Sequence, residues 1–235
     1  MSAHDSLERR DPNGHRQAGP FGAVLLDLDG CLIDSNDAHA EAWSTALARF
    51  GRSVPASRLR MQIGKGGKEL LRDFVTPAEH YFLGAAMGEV ETDAFLSRFA
   101  SRVRPFPNAA AVVREMLRAG LKVVIASSAD RRVVERALSL LRLRRALTGF
   151  TSADDVDKAK PFEDVFQLAI DRFRLGSRRP VAVGDSPYDV AAAHQIGVPC
   201  IALRSGGFPP RTLAEADARF DDLDDLWRNG RGLFA

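Results

Sequence analysis

AVLLDLDGCLIDS, residues 23–35, is an apolar run that stops on two carboxylates, Asp27 and Asp29, directly before a glycine. A short apolar run closed by a turn signal reads as a buried strand. Residues two apart on a strand share a face, so Asp27 and Asp29 point together beyond the strand's C-terminal end. In parallel α/β sheets that end is where ligands bind. Two neighbouring carboxylates repel each other, and keeping both ionised calls for a cation; a hard ion such as Mg²⁺ suits oxygen ligands. The same letters also fit a plain Asp-Gly turn with solvated acids. The rest of the chain has to decide.

Downstream of residue 105 the pattern alternates. Helical spacing covers 109–119, 131–141, 162–173 and 188–196, and apolar strand runs cover 121–127, 149–152, 180–185 and 198–203. Such alternation predicts a parallel sheet with right-handed crossovers. Residues 36–50 and the stretch onward to 104 carry helix-like spacing (69–75, 79–87, 91–103) and no strand pattern. The chain therefore divides into a core domain, 21–35 joined to 105–235, and an all-helical cap domain over 36–104. An insert that leaves just after the acidic strand end can cover the site as a lid. Trp43, Phe74 and Tyr81 fall at packing positions of the insert, and Phe220 in the core of the last elements. Residues 1–20 are polar and read as a flexible N-terminal tail with no apolar h-region of a secretory signal.

Composition excludes several classes. At 235 residues with 45% hydrophobic and 27% charged side chains, the chain is an ordinary globular protein able to bury a substantial core. Thirty-three basic against thirty-one acidic residues leave a net charge of +2 and no global field to recruit nucleic acid or an anionic membrane. Cys31 and Cys200 are the only cysteines, in no CxxC pair, which argues against structural zinc and a disulfide framework. No stretch is apolar for long enough to span a bilayer. A reducing cytoplasm is the expected location.

Three further predicted strand ends carry polar groups. Ser127 ends the strand 121–127, Lys160 precedes Pro161, and Asp185 ends the strand 180–185 with Asp189 four residues on. Singly, these read equally as a helix N-cap, a surface lysine and acids favoured at a helix N-terminus. Together they put two acids, a hydroxyl, a lysine and a second acid pair along one sheet edge, in that chain order. Phosphoryl transfer needs such a set.

DLDGCLIDS (27–35), IASSA (125–129), KAKP (158–161) and GDSPYDVAAA (184–193) together resemble motifs one to four of the haloacid dehalogenase superfamily, in the branch of phosphoglycolate phosphatase-like enzymes and β-phosphoglucomutases. The resemblance spans almost everything from Phe21 onward. It implies a Rossmann-like three-layer α/β core with a parallel sheet and an inserted helical cap. It implies Asp27 as the nucleophile that becomes an aspartyl-phosphate and Asp29 as the acid/base. Mg²⁺ would lie between the Asp27 carboxylate, the Asp29 backbone carbonyl and Asp185, with Asp189 supporting the cluster. Lys160 would offset phosphate charge, the Ser127 hydroxyl would bind a phosphate oxygen, and backbone N–H groups of Gly30 and Ser128 would complete the cradle.

Dehalogenases proper lack an acid at the position of Asp29, which argues against dehalogenation. Cys31 stands where many relatives have threonine; a thiol beside carboxylates has a raised pKa and makes a poor nucleophile. His39 matches a histidine position of both branches, for proton transfer or positioning. The loop Gly64-Lys65-Gly66-Gly67-Lys68 resembles the cap loop that reaches the site, with Lys65 or Lys68 meeting substrate charge. The expected activity is a Mg²⁺-dependent phosphatase acting on a small phosphorylated metabolite. A phosphosugar mutase of the β-phosphoglucomutase kind is the alternative, and an inactive binding module is disfavoured by the presence of all six polar strand-end residues.

Overall fold

The computed structural model describes residues 9–10, 16–17 and 20–234. The expected tail, 1–20, lies mostly outside the described residues; within it, Arg9–Arg10 pairs antiparallel with Arg16–Gln17. From Phe21 the chain builds a six-stranded, all-parallel sheet from β1 (Ala23–Leu26), β2 (Lys122–Ala126), β3 (Gly149–Thr151), β4 (Pro180–Gly184), β5 (Cys200–Leu203) and β6 (Ala218–Phe220). Their order across the sheet is β6-β5-β4-β1-β2-β3. β1 is central, with Leu26 level with Ile125 of β2 and with Val183 of β4.

Strands buried on both faces read as continuous apolar runs, and AVLL is fully buried. The period of two still sorts it: Val24 and Leu26 join one core layer, Ala23 and Leu25 the other. The first layer receives α5 (Ala109–Arg118), α6 (Arg131–Leu140) and α9 (Leu223–Asn229). On α5 the buried residues are Ala109, Val112, Val113 and Met116, the i, i+3, i+4, i+7 stripe of a helix laid on a sheet. The second layer receives α7 (Asp164–Arg172) and α8 (Pro187–Gln195). Three layers result, with Phe220 half-buried on the edge strand and packed against the first core layer.

Between β1 and β2 come α1 (Asn36–Arg49), α2 (Ala56–Arg60), α3 (Gly67–Leu71) and α4 (Pro77–Ala94), followed by a π-helical turn at Phe95–Phe99. These helices share a core of their own around Trp43, Leu47, Leu59, Leu70 and Met87. α4 starts on a Thr76–Glu79 capping box with Pro77 in its first turn, a strong local start signal. The two chain crossings to the sheet lie side by side, Ile33–Asp34 pairing antiparallel with Arg104–Pro105. Tyr81 departs from expectation: it is 80% exposed and Phe82 is 77% exposed. The inward side of α4 runs through Gly84, Met87, Glu91 and Ala94, and Tyr81 sits off that line. No helix among the described residues is long and apolar enough to cross a membrane.

Leu25→Ala should therefore destabilise the protein by about 2–5 kcal/mol, the usual cost of emptying a packed core site. Tyr81→Ala should stay within about 0.5 kcal/mol of wild type. Chemical denaturation of the two variants checks both expectations.

Candidate active site

Three neighbouring strands of the sheet, β2, β1 and β4, end together, and the residues that follow them converge. Asp27 leaves β1 with its N–H still bonded to the Val183 carbonyl at 2.8 Å. The chain then turns at Leu28–Ile33, with Leu28 O accepting from Leu32 N at 2.9 Å. Gly30 has a φ of +75°, and a Cβ there would strike the Asp185 carboxylate. Glycine is thus required twice over, by dihedral and by space. Its N–H, expected from the sequence to face phosphate, donates to Ile33 O at 2.8 Å within the turn. Gly206 presses on Asp185 from the other side, again leaving no room for a Cβ.

Lys160 lies fully buried below this turn. Its ammonium donates to Asp27 Oδ1 and meets Asp189 Oδ1, both at 2.7 Å. Burial alone would lower the lysine's pKa, but the two carboxylates outweigh it and push it up. Burial raises Asp27 to about 7 despite Lys160, with Asp189 and Asp29 adding to the rise. Burial, then the neighbouring Asp189 and Asp27, push Asp185 well above the usual carboxylate range. Its side chain is held by a neutral group, Asn36 Nδ2, at 2.9 Å from Oδ2. Among the described residues, three buried carboxylates thus share one ammonium, an imbalance that a bound cation would correct.

Asp27, Asp185 and Cys31 offer ligand atoms within 4.8 Å of one another. Burial and the adjacent acids push the Cys31 thiol well above its ordinary pKa, so the neutral sulfur is a poor donor for a hard cation and the two carboxylates are the fitting pair. Asp189 does not join them. Its Oδ1 faces Lys160, and its Oδ2 accepts from Ser186 N at 3.1 Å and Ser186 Oγ at 2.5 Å as part of the capping box that starts α8. The support expected of Asp189 toward a metal reaches the cluster through Lys160.

Ser127 is buried at the end of β2, its Oγ accepting from Ala129 N at 3.1 Å. The Ser128 Oγ accepts from Lys160 N at 3.3 Å, which joins the two motifs. Above lies a cavity of about 480 Å³, lined among others by Asp27, Asp29, His39, Trp43, Lys65, Lys68 and Ser128. Asp29 Oδ1 accepts from Ser35 Oγ at 2.5 Å and lies 3.3 Å from His39 Nε2. Burial would raise the pKa of Asp29, but His39 and Ser35 together lower it. Burial would lower that of His39, but Asp29 and Glu91 push it up to about 10. His39 Nδ1 is 2.9 Å from Glu91 Oε1.

The glycine-rich loop of the insert lies against the cavity. Gly66 N donates to the Lys160 carbonyl at 2.9 Å. Lys65 Nζ is bound to Asp73 at 2.6 Å, and Lys68 Nζ lies 3.4 Å from the Asp157 carbonyl. Both line the cavity, with Lys65 already answered by a carboxylate. Two contributors went unread in the sequence. Asn36 also donates to Gly206 O at 3.2 Å, and the only trace of its role was a polar residue opening a helix. Glu91 is 6% exposed; its trace is an acid on the buried stripe with Met87.

A sequence model described as haloacid dehalogenase-like hydrolase matches residues 24–203. The chain belongs to the haloacid dehalogenase-like hydrolase family. Among curated proteins, it is 27% identical over 206 residues to the validoxylamine A 7'-phosphate phosphatase of Streptomyces hygroscopicus subsp. limoneus, covering 88% of this chain and 96% of that one. It is 28% identical over 215 residues to a phosphoglycolate phosphatase of Cupriavidus necator, covering 88% and 92%. Among solved structures, a hydrolase from Pseudomonas syringae superposes with a TM-score of 0.83 at 23% identity over 91% of this chain and all of that one. A putative beta-phosphoglucomutase from Bacteroides vulgatus reaches 0.77 at 22% identity over 92% and 90%. The family's hydrolase assignment agrees with the acid and lysine cluster described above.

The acid cluster has a consequence for stability. Native Asp27 and Asp185 hold protons that the unfolded chain, with carboxyls near 3.8, has released. Between that value and about 7 the folded state binds more protons, so stability falls as pH rises through this window in metal-free protein. Asp185→Asn should accordingly raise the Tm at pH 8 without divalent ions, by about 2–4 °C per kcal/mol of repulsion removed. Mg²⁺ added at the same pH should stabilise wild type and leave the variant unmoved. Calorimetry at pH 5 and pH 8 checks each part.

Proposed function

We propose that this chain is a Mg²⁺-dependent phosphatase that hydrolyses a small phosphomonoester through an aspartyl-phosphate at Asp27. The observation that carries the reading is the buried Lys160 ammonium between Asp27 and Asp189, with Asp185 beside them, under a cavity at the end of the central strand. A carboxylate held by an ammonium at one oxygen keeps the other free for attack. Mg²⁺, held by the Asp27 and Asp185 carboxylates and the Asp29 carbonyl, would supply positive charge against the phosphoryl oxygens.

In the first step Asp27 forms a bond to phosphorus as the ester P–O bond breaks, and the protonated form of Asp29, the minor one beside His39 and Ser35, gives its proton to the departing oxygen. The Ser127 hydroxyl and the Ser128 N–H would hold phosphoryl oxygens, and Lys160 would offset the charge that gathers on Asp27. In the second step Asp29 takes a proton from water as that water attacks phosphorus, which frees Asp27 and inorganic phosphate. Full turnover in excess EDTA would contradict the metal dependence. Asp27→Asn should fold yet lose turnover by several orders of magnitude, because an amide cannot form the acyl-phosphate.

The cavity walls bear on the substrate. Asp154 and Asp157 line it, together with Lys68, the Asp73-bound Lys65, and Glu89 and Asp130, both paired with Arg132. Asp154 and Asp157, which have no ion-pair partner among the described residues, favour a leaving group rich in hydroxyls, or carrying an amine, over one with a second anionic group. The relative from Streptomyces hygroscopicus, named for validoxylamine A 7'-phosphate, is on this count a nearer guide than the phosphoglycolate phosphatases. We expect phosphorylated sugars, polyols or cyclitols to exceed phosphoglycolate in kcat/KM by tenfold or more in a phosphate-release panel. A preference for phosphoglycolate would overturn this. In the same panel, sugar phosphate isomerised without release of inorganic phosphate would favour the mutase alternative.

A further inference from the structure

Glu91 belongs to none of the motifs, yet it is a carboxylate 6% exposed on α4, in a stripe that otherwise packs Gly84, Met87 and Ala94 inward. A buried acid is stable where it is paired. The partner is His39, whose Nδ1 lies 2.9 Å from Glu91 Oε1. Four residues further along, Phe95 stacks flat on the same imidazole, with ring centroids 3.9 Å apart and planes 6° from parallel. Positions i and i+4 of a helix lie on one face, so one helical turn grips both the edge and the face of His39. The remaining ring nitrogen, Nε2, is left 3.3 Å from Asp29 Oδ1, at ion-pair distance but without hydrogen-bond alignment.

A carboxylate can only accept hydrogen bonds. Glu91 therefore requires a proton on His39 Nδ1, and the ring's remaining nitrogen must face Asp29. Ser35 Oγ holds the same Asp29 oxygen at 2.5 Å, which leaves Oδ2 as the oxygen available to the cavity. We propose that Glu91 is a positioning residue for the leaving-group acid: it locks the orientation of His39, and His39 with Ser35 locks the Asp29 carboxyl. A residue of the helical insert thus governs a proton transfer made by the sheet domain. The proposal rests on the reading of Asp29 as the acid.

The test is leaving-group dependence. An aryl phosphate such as p-nitrophenyl phosphate departs with little need of protonation, whereas an alkyl phosphate such as glycerol 3-phosphate needs it. kcat/KM reports binding and the first phosphoryl transfer, and is blind to later hydrolysis of the aspartyl-phosphate. Glu91→Gln should lower kcat/KM for the alkyl ester tenfold or more, a part of the about 10²–10⁴ that a positioned acid contributes. It should change the aryl value by less than about threefold, the range left to effects outside proton transfer.

His39→Gln should show the same selectivity, and the double variant should lose no more than the worse single one, as expected of residues acting in series. Equal loss on both esters, additive losses, or no loss at all would overturn the proposal, because an insert merely loosened by the change would affect both substrates alike. If Glu91→Gln does not fold, Glu91→Asp, which keeps the charge and shortens the reach, makes the same comparison. Asp29→Asn separates the two levels: were it to affect both esters equally, the acid assignment itself would have failed and not the role of Glu91.

Discussion

The contact on which the rest of the site depends is the buried ammonium of Lys160 between Asp27 and Asp189. Removing one partner from such a buried pair strands a charge, at a cost of about 3–5 kcal/mol. Here the cluster is unbalanced even when intact, since Asp185 stands beside it hydrogen-bonded by the neutral Asn36 amide and packed by Gly30 and Gly206. On the proposed reading, a cation bound beside these carboxylates would offset their repulsion and, with Lys160, let a phosphoryl group approach. Folding is stabilised elsewhere, by two apolar layers on a fully buried sheet, and the site draws on that stability.

The helical insert does more than cover this cluster. Asn36, at its first helical residue, holds Asp185; Gly66, in its glycine-rich loop, donates to the Lys160 carbonyl; and Glu91, on its longest helix, holds His39 against Asp29. Each contact joins an element of the insert to a different motif of the sheet domain. The paired crossings at Ile33–Asp34 and Arg104–Pro105 form the short double connection about which such an insert could move. Access to the cavity and the orientation of the acid are then set by the same rigid unit.

Much of this was legible in the sequence, for identifiable reasons. A parallel sheet is made of runs apolar on both faces, so each strand announces its own end, and Asp27, Ser127 and Asp185 stand where apolar letters stop. The alternation of strands and helices then requires those ends to share one edge. Contacts that join distant segments leave no local period. Asn36 meets a carboxylate 149 positions away and His39 meets one 52 away, and neither separation appears as a pattern. Gly30 and Asp189 stand in the right place with other duties, because a turn and a helix cap use the same residue types as a phosphate cradle and a metal site. Tyr81 shows the limit of composition: an aromatic on a helix is buried only if it falls on the inward stripe.

The central claim is that the Asp27 carboxylate, held by Lys160, receives the phosphoryl group. Acid-quenching the protein during turnover of p-nitrophenyl phosphate with Mg²⁺, followed by peptide mass spectrometry, tests it most directly. The account predicts a phosphoryl group on the peptide carrying residues 23–35, located at Asp27 and absent from Asp27→Asn. Active turnover with the phosphoryl group on another side chain, such as Ser127 or His39, or with no phosphorylated peptide under conditions that preserve acyl-phosphates, would contradict it.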